Sequence, residues 1–384
     1  MTHTFAISCT RLGLKTAVSK GALWLATFAV VAIAVAAPVT PAFAAASVQS
    51  TWHRGGIAKM RIAHATTSIG PVSIPVSQNQ IGWLALSNIG AVEPFNIRTG
   101  QLLDSPIYLP TGRVPVSIAY WQPNPIASAS ATEDPVLLVV SNSSSTNADS
   151  LTFVDAARKT VLKTISLGGT LATSVATNVI NDYAVVTDTN ASGTASRLRV
   201  ISMATKAAIQ TVTVFASNPN VLSQAVFDPN GDNVYVAAPT LHKILMYQNQ
   251  YTALPLVQPT GSTYTGSSTF NPECLVVSAG GGLYVATSNS ALKKLYRFSG
   301  TYPNGSTVTP LVTLPAAASD LVVNRAGTRA FVGMTGSTNN LASVDLTTNT
   351  LSTSTTTTSS SALALTDDSG TLLVGDGASS AQDF

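Results

Sequence analysis

Phe227-Asp-Pro-Asn-Gly-Asp-Asn-Val-Tyr-Val236 reads as the end of one β-strand, a tight turn and the start of the next. Gly and Asn/Asp tolerate the positive φ angles that a tight hairpin demands, so the segment folds back on itself. The run Ser223-Gln-Ala-Val-Phe227 leads into this turn, and Tyr235-Val-Ala-Ala238 leads out of it. The same order recurs along the chain. Leu275-Val-Val-Ser278 enters Ala279-Gly-Gly-Gly282, Leu321-Val-Val323 enters Asn324-Arg-Ala-Gly327, and Leu363-Ala-Leu365 precedes Asp367-Asp-Ser-Gly370. Nearer the N-terminus, Val72-Ser-Ile-Pro-Val-Ser77 runs into Gln78-Asn-Gln80.

The β element after each turn can be aligned without internal gaps. Its copies begin at Ala85, Val139, Val185, Tyr235, Tyr284, Phe331 and Leu373, at spacings of 54, 46, 50, 49, 47 and 42 residues. The longest interval holds a Pro-, Ala- and Ser-rich insertion from Pro123 to Asp134. A second hairpin follows most copies: Leu151-Thr-Phe-Val-Asp155 turns into Thr160–Leu167, and Leu198-Arg-Val-Ile201 turns into Ile209–Val214. Four strands in each unit of ~45 residues match a propeller blade.

With these residues in place, the repeat resembles that of the YVTN β-propeller family. The likeness is carried best by Phe227–Val236 and by Ser343-Val-Asp-Leu-Thr-Thr-Asn349, and it runs over nearly all of the chain after residue 44. The expected fold is an all-β, seven-bladed β-propeller of four-stranded antiparallel blades. The last copy leaves room for two strands only. An open half-blade would expose a β edge, so the last blade is expected to be closed by N-terminal strands, residues 361–384 pairing with 45–65. The other blades are expected near 66–110, 111–168, 169–216, 217–260, 261–316 and 317–360. The Thr/Ser run Ser352–Ser361 is read as the sixth blade's outer strand, where polar Thr is at home.

Residues 1–44 have the three parts of a secretory signal: basic residues up to Lys20, an apolar run from Ala22 to Ala37, and Ala42-Phe43-Ala44. Cleavage is expected after Ala44, leaving residues 45–384 as an exported propeller in the periplasm, at the cell surface or in the medium. Sixteen apolar residues, many of them Ala, fall short of the ~20 that span a bilayer, so no transmembrane anchor is expected after cleavage. Of 20 Lys and Arg, Arg11, Lys15 and Lys20 lie in the leader, which has no Asp or Glu; 17 basic and 17 acidic side chains remain. A neutral protein lacks the basic surface that nucleic-acid binding requires, so that function is not expected. Charged residues make up only 10% of the chain, which suits strands buried on both faces and not a helical bundle.

No cofactor or metal site is expected. Cys9 lies in the leader and Cys274 is the only other cysteine, so an intramolecular disulfide is excluded after cleavage, and Cys274 reads as a small buried hydrophobe. His3, His53, His64 and His242 do not cluster in sequence. Asp228–Asp232 has oxygen-rich spacing, but it lacks the later glutamate of a calcium loop and works equally well as a plain turn. Gly280–Gly282 has no following Lys-Ser/Thr, and no Gly-x-Ser-x-Gly elbow occurs.

Propellers bind ligands mainly at the mouth of the central channel. The last residue of the repeated β element ends a strand near one rim, which makes Asn88, Asn142, Asp188, Thr287 and Asp376 candidate ligand-binding residues; Asx-type turns account for such side chains equally well. Three functions remain open. One is a monomeric binding or scaffold protein for an unidentified protein or small molecule. Another is a propeller enzyme of lactonase or quinoprotein-dehydrogenase type, implied by fold analogy alone. The third is a cell-surface adhesion or envelope module. No catalytic residues are expected.

Overall fold

The computed structural model describes the strand backbone at residues 27–31, 33–34, 48–53 and 57–62, and most of 81–376. The exceptions in the latter span are 98–100, 123–133, 144–148, 179, 181, 219–220, 250–255, 261, 290–291, 300–306, 337–339, 355–359 and 366–370. The expected cleavage site after Ala44 and the expected strand Val72–Ser77 lie outside the described residues.

Three strands precede the propeller: β1 (Thr27–Val31), β2 (Ile33–Ala34) and β3 (Val48–His53), of which β1 pairs with β3. The first blade is β4 (Ile57–Ile62), β5 (Ile81–Leu86), β6 (Ala91–Asn96) and β7 (Ile107–Tyr108). The second is β8 (Arg113–Trp121), β9 (Val136–Ser143), β10 (Ser150–Asp155) and β11 (Thr160–Ser166). The third is β12 (Gly169–Asn178), β13 (Tyr183–Asn190), β14 (Ser196–Ser202) and β15 (Ala207–Phe215). In the fourth, β16 (Ala225–Phe227), β17 (Asn233–Ala238) and β18 (Lys243–Asn249) are edged by two short pieces, β19 (Leu256–Val257) and β20 (Thr263–Thr265).

The fifth blade is β21 (Pro272–Val277), β22 (Leu283–Thr287), β23 (Lys294–Ser299) and β24 (Thr307–Thr313). The sixth is β25 (Ala317–Val323), β26 (Arg329–Thr335), β27 (Leu341–Asp345) and β28 (Thr350–Ser354), so the start of the Thr/Ser run is an outer strand. Strands within each blade pair antiparallel in chain order. Two strands remain, β29 (Ser360–Leu365) and β30 (Thr371–Asp376).

The protein is therefore an all-β, six-bladed β-propeller, and the seven-bladed expectation is corrected. Among the described residues the seventh repeat supplies β29 and β30, and one further strand, the two-residue β2, joins this sheet. The expected closure of 361–384 by 45–65 does not form. Residues 57–62 are taken as the first strand of blade one, against β5, and β3 is held by β1. The physical reason lies in β4 itself: it starts the first blade, which would otherwise begin at β5 with a bare edge.

The narrow sheet β2-β30-β29 fills the gap between the sixth and first blades. First strands pack side by side around the axis in the order β4, β8, β12, β16, β21, β25 and β29, then back to β4. Each gap between neighbouring sheets holds its own apolar cluster. Trp83 joins Ile118 and Val139 between blades one and two, and Trp121 joins Val175 and Ile201 between two and three. Ala362 and Leu373 of the closing sheet pack on Leu84 and Phe95 of blade one. Both tryptophans are completely buried, each a contribution of roughly 2–3 kcal/mol on the usual scale for large side chains.

The turn that opened the sequence reading forms as expected. Gly231 adopts φ +71°, and Asp228 Oδ1 accepts the N–H groups of Asp232 and Asn233. The Gly231 carbonyl accepts Asn178 Nδ2 at 2.8 Å, tying the turn of blade four to blade three. With its carboxylate bonded this way, Asp228 acts as the turn's own brace. Among the described residues no helix is long and apolar enough to cross a membrane.

Candidate ligand site at the channel mouth

Near its start, each inner strand departs from regular pairing. The register shifts between Ile57 and Lys59, Pro115 and Ser117, Thr170 and Ser174, Pro272 and Cys274, Ala318 and Asp320, and Ser360 and Ala362. In blade four, Ser223 donates its N–H to Ala237 O while Gln224 O accepts Ala237 N–H, the same two residues against one. These are β-bulges, which re-aim a side chain away from the ladder. The re-aimed residues include Val116, Leu171, Thr173, Ser223, Glu273 and Ser319, and all of them line one cavity of about 430 Å³ at the channel mouth.

In blades two, three, four and six a side chain one position beyond the bulge bonds to the next sheet. Ser117 Oγ accepts Val175 N–H at 3.2 Å, Ser174 Oγ accepts Ala225 N–H at 3.3 Å, and Gln224 Oε1 accepts Leu275 N–H at 2.7 Å. Asp320 Oδ2 accepts Leu363 N–H at 2.9 Å, linking blade six to the closing sheet. Cys274, buried and outside any disulfide, occupies this position in blade five. The bulge thus faces the channel while the next residue clasps the neighbouring blade.

The bulge in β12 is the longest. Leu171 stands there with φ +50° and is 42% exposed, an uncommon combination for a bulky residue. Asp149 holds the loop from behind, its Oδ2 accepting Ala172 N–H at 2.5 Å and its Oδ1 accepting Ser143 N–H at 3.1 Å. Burial pushes the Asp149 carboxyl up from its ordinary value, against the pull of these two N–H groups.

The cavity lining is rich in acceptors. Among the described residues Glu273 is the one carboxylate in the lining, and no described Lys, Arg or His lines it. Ser288 Oγ donates to Glu273 Oε2 at 3.2 Å, and Ser223 Oγ donates to the Glu273 carbonyl at 3.1 Å. Asn142 Oδ1 is buried and makes no hydrogen bond. Among the described residues no three His, Cys, Asp or Glu side chains come together as metal ligands would.

A second hollow of about 310 Å³ lies at the other ends of the same strands, lined by Tyr120, Thr177, Asn178, Phe227 and Asp228. Burial pushes the Tyr120 phenol up to about 12, so it is neutral at ordinary pH.

Of the five residues expected at the rim, Asn142 lines the mouth cavity. Asn88 is exposed in the β5–β6 turn. Asp188 is buried against two arginines: Arg197 Nε and Nη2 lie 3.0 and 2.6 Å from its oxygens, and Arg199 Nε lies 2.8 Å away. Thr287 is buried, its Oγ1 donating to Leu292 O at 2.6 Å and accepting Lys294 N–H at 2.9 Å. Asp376 ends β30, and its side chain lies outside the described residues. Sequence reasoning missed Glu273 and the other bulge residues because they precede the apolar stretch that defines each repeat.

The fold recurs among solved structures. The hydrazine synthase of Kuenenia stuttgartiensis superposes with a TM-score of 0.59 over 80% of this chain and 94% of that one, at 12% identity. A protein described as a putative 6-phosphogluconolactonase from Bacteroides fragilis gives 0.58 over 79% and 89%, at 16% identity. A chain of the mitotic checkpoint complex gives 0.55 over 78% and 84%, at 12% identity. At these identities the likeness establishes the β-propeller class and nothing finer. No protein-family model matches the chain and no curated relative matches it, which corrects the expected membership of the YVTN family. The repeat likeness rests on strand-and-turn chemistry that any four-stranded blade requires.

Proposed function

We propose that this β-propeller, a fold compatible with binding, scaffold and enzyme roles, is an exported binding protein that takes a small molecule at the channel mouth. The observation that carries the reading is the convergence of the bulge residues of blades two to six on one cavity of about 430 Å³. That volume lies within the usual range for small-molecule sites, roughly 300–1,000 Å³. Its polar side chains fix orientation, and Leu171 supplies apolar contact. Export is supported by the basic start, the apolar run and Ala42-Phe43-Ala44; cleavage after Ala44 removes β1 and β2 and leaves β29 and β30 as the closing sheet.

The test is a thermal-shift screen of the protein against small polar metabolites, repeated on Ser319→Trp and on Thr240→Trp, which fill the mouth from two different blades. The expected result is a class of compounds that raises the melting midpoint of the parent and of neither filled variant. Stabilisation that survives both substitutions contradicts the reading, and so does turnover of a bound compound by the pure protein.

A further inference from the structure

The floor of the mouth carries an arc of spare hydrogen-bond donors, and we infer that the ligand's inner end is an acceptor-only oxygen group, a carbonyl or a carboxylate. This rests on the mouth being the ligand site. Residues 116–117, 171–174 and 221–224 line the mouth, while 119–120, 175–178 and 224–229 line the hollow beyond. Ser117, Ser174 and Gln224 are therefore the innermost mouth residues of three neighbouring blades, and Gln224 borders both hollows.

Each of the three already uses an acceptor within the fold. Val175, Ala225 and Leu275 donate their N–H groups to Ser117 Oγ, Ser174 Oγ and Gln224 Oε1. What remains on each side chain is a donor: one hydroxyl hydrogen on Ser117, one on Ser174, and two hydrogens on Gln224 Nε2. None of these hydrogens meets an acceptor among the described residues. Ser117 and Ser174 are 3% and 5% exposed, so a partner for their hydrogens has to come from within the cavity. The Leu275 bond also fixes which way the Gln224 amide faces, because reversing it sets N–H against N–H. Asp320, at the same position in blade six, has both oxygens in use, on Leu321 N–H and Leu363 N–H, and lies outside the mouth lining.

A carbonyl or carboxylate oxygen has lone pairs and no hydrogen of its own, so it answers more than one of these donors at once. A hydroxyl brings a further hydrogen to a floor that already holds unmatched ones, and an ammonium brings three.

Gluconate, gluconamide and glucitol share a carbon chain and differ at one end, which is a carboxylate, an amide carbonyl or a hydroxyl. They are titrated calorimetrically, together with each carbonyl or carboxylate compound from the screen and its alcohol analogue, against the parent, Gln224→Glu, Gln224→Met and Ser319→Trp. Glutamate keeps the acceptor for Leu275 N–H and replaces the donor with a second acceptor, whereas methionine removes both. The expected result is that the carbonyl or carboxylate member binds the parent about tenfold or more tightly than its alcohol, and that both Gln224 variants lose the preference. Which of gluconate and gluconamide binds more tightly tells carboxylate from carbonyl. A preference that Gln224→Glu retains, or tighter binding of the alcohols to the parent, overturns the donor assignment and leaves the mouth as the site. Binding of no compound, or binding indifferent to Ser319→Trp, overturns the site itself.

Discussion

Gln224 Oε1 accepts the backbone N–H of Leu275 at 2.7 Å, across the gap between the fourth and fifth blades. The bond belongs to a series: Ser117, Ser174 and Asp320 do the same for Val175, Ala225 and Leu363. The inner strands of blades two, three, four and six therefore each carry an acceptor for the next strand around, independent of the apolar clusters between the sheets. Gln224→Met keeps the length of the side chain and removes the acceptor, leaving Leu275 N–H without its partner. The expected cost is about 1–2 kcal/mol of unfolding free energy, read from urea denaturation. An unchanged midpoint would show that the clasp contributes nothing beyond packing.

Asp188 ties Arg197 and Arg199 together beneath the loop that leads into β12, and its carboxylate has no solvent exposure. Asp188→Ala strands two guanidinium groups that are themselves only 13% and 12% exposed. A loss of about 3 kcal/mol is expected in chemical denaturation, the low end for removing one partner of a buried pair. A loss below about 1 kcal/mol would place the cluster with ordinary surface pairs.

Leu171 pays for its position with a left-handed backbone. Leu171→Gly removes a conformational penalty of roughly 1–2 kcal/mol and adds back roughly 0.5–1 kcal/mol of chain entropy. Thermal stability should hold or rise, while affinity for any ligand of the mouth falls. A drop in melting midpoint would mean that the side chain supports the fold and not the site.

Asp345 heads the β27–β28 turn. Its Oδ1 accepts the Thr347 hydroxyl at 2.6 Å and the N–H groups of Thr347 and Thr348 at 2.9 and 3.0 Å. Led by the Thr347 hydroxyl, these bonds lower its pKa to about 2. The folded value lies below the unfolded one of about 3.9, so its stabilising contribution is complete above the unfolded value and is lost as pH falls through the folded one. The stability gap between the parent and Asp345→Ala should be constant above about pH 5 and narrow steadily toward pH 2. A gap of constant size over that range would contradict the hydrogen-bond account.

Much of this architecture is legible in the residues, for physical reasons. Hairpin turns announce themselves because Gly231 and Asp228 do local work, and Val234–Ala238 is apolar because both faces of an inner blade strand are covered. Strand count at the ends of the chain is not local. Whether Ile57–Ile62 edges the first blade or closes the last depends on which partner, β5 or β30, gains more from it, and the repeat pattern is silent on that choice. The site is harder still. The clasp uses Ser, Ser, Gln and Asp at equivalent positions, unlike residues joined only by owning an acceptor. Glu273 precedes its repeat's apolar stretch by two residues, and a bulge gives no signal in composition.

The most direct test of the channel-mouth account is a crystal structure of the protein with the compound that stabilises it most in the screen. The account predicts electron density for that compound between Glu273 and Leu171, with a donor on Asn142 Oδ1. Density in the hollow beside Tyr120 and Asn178, or on the outer strands with the mouth empty, would contradict it.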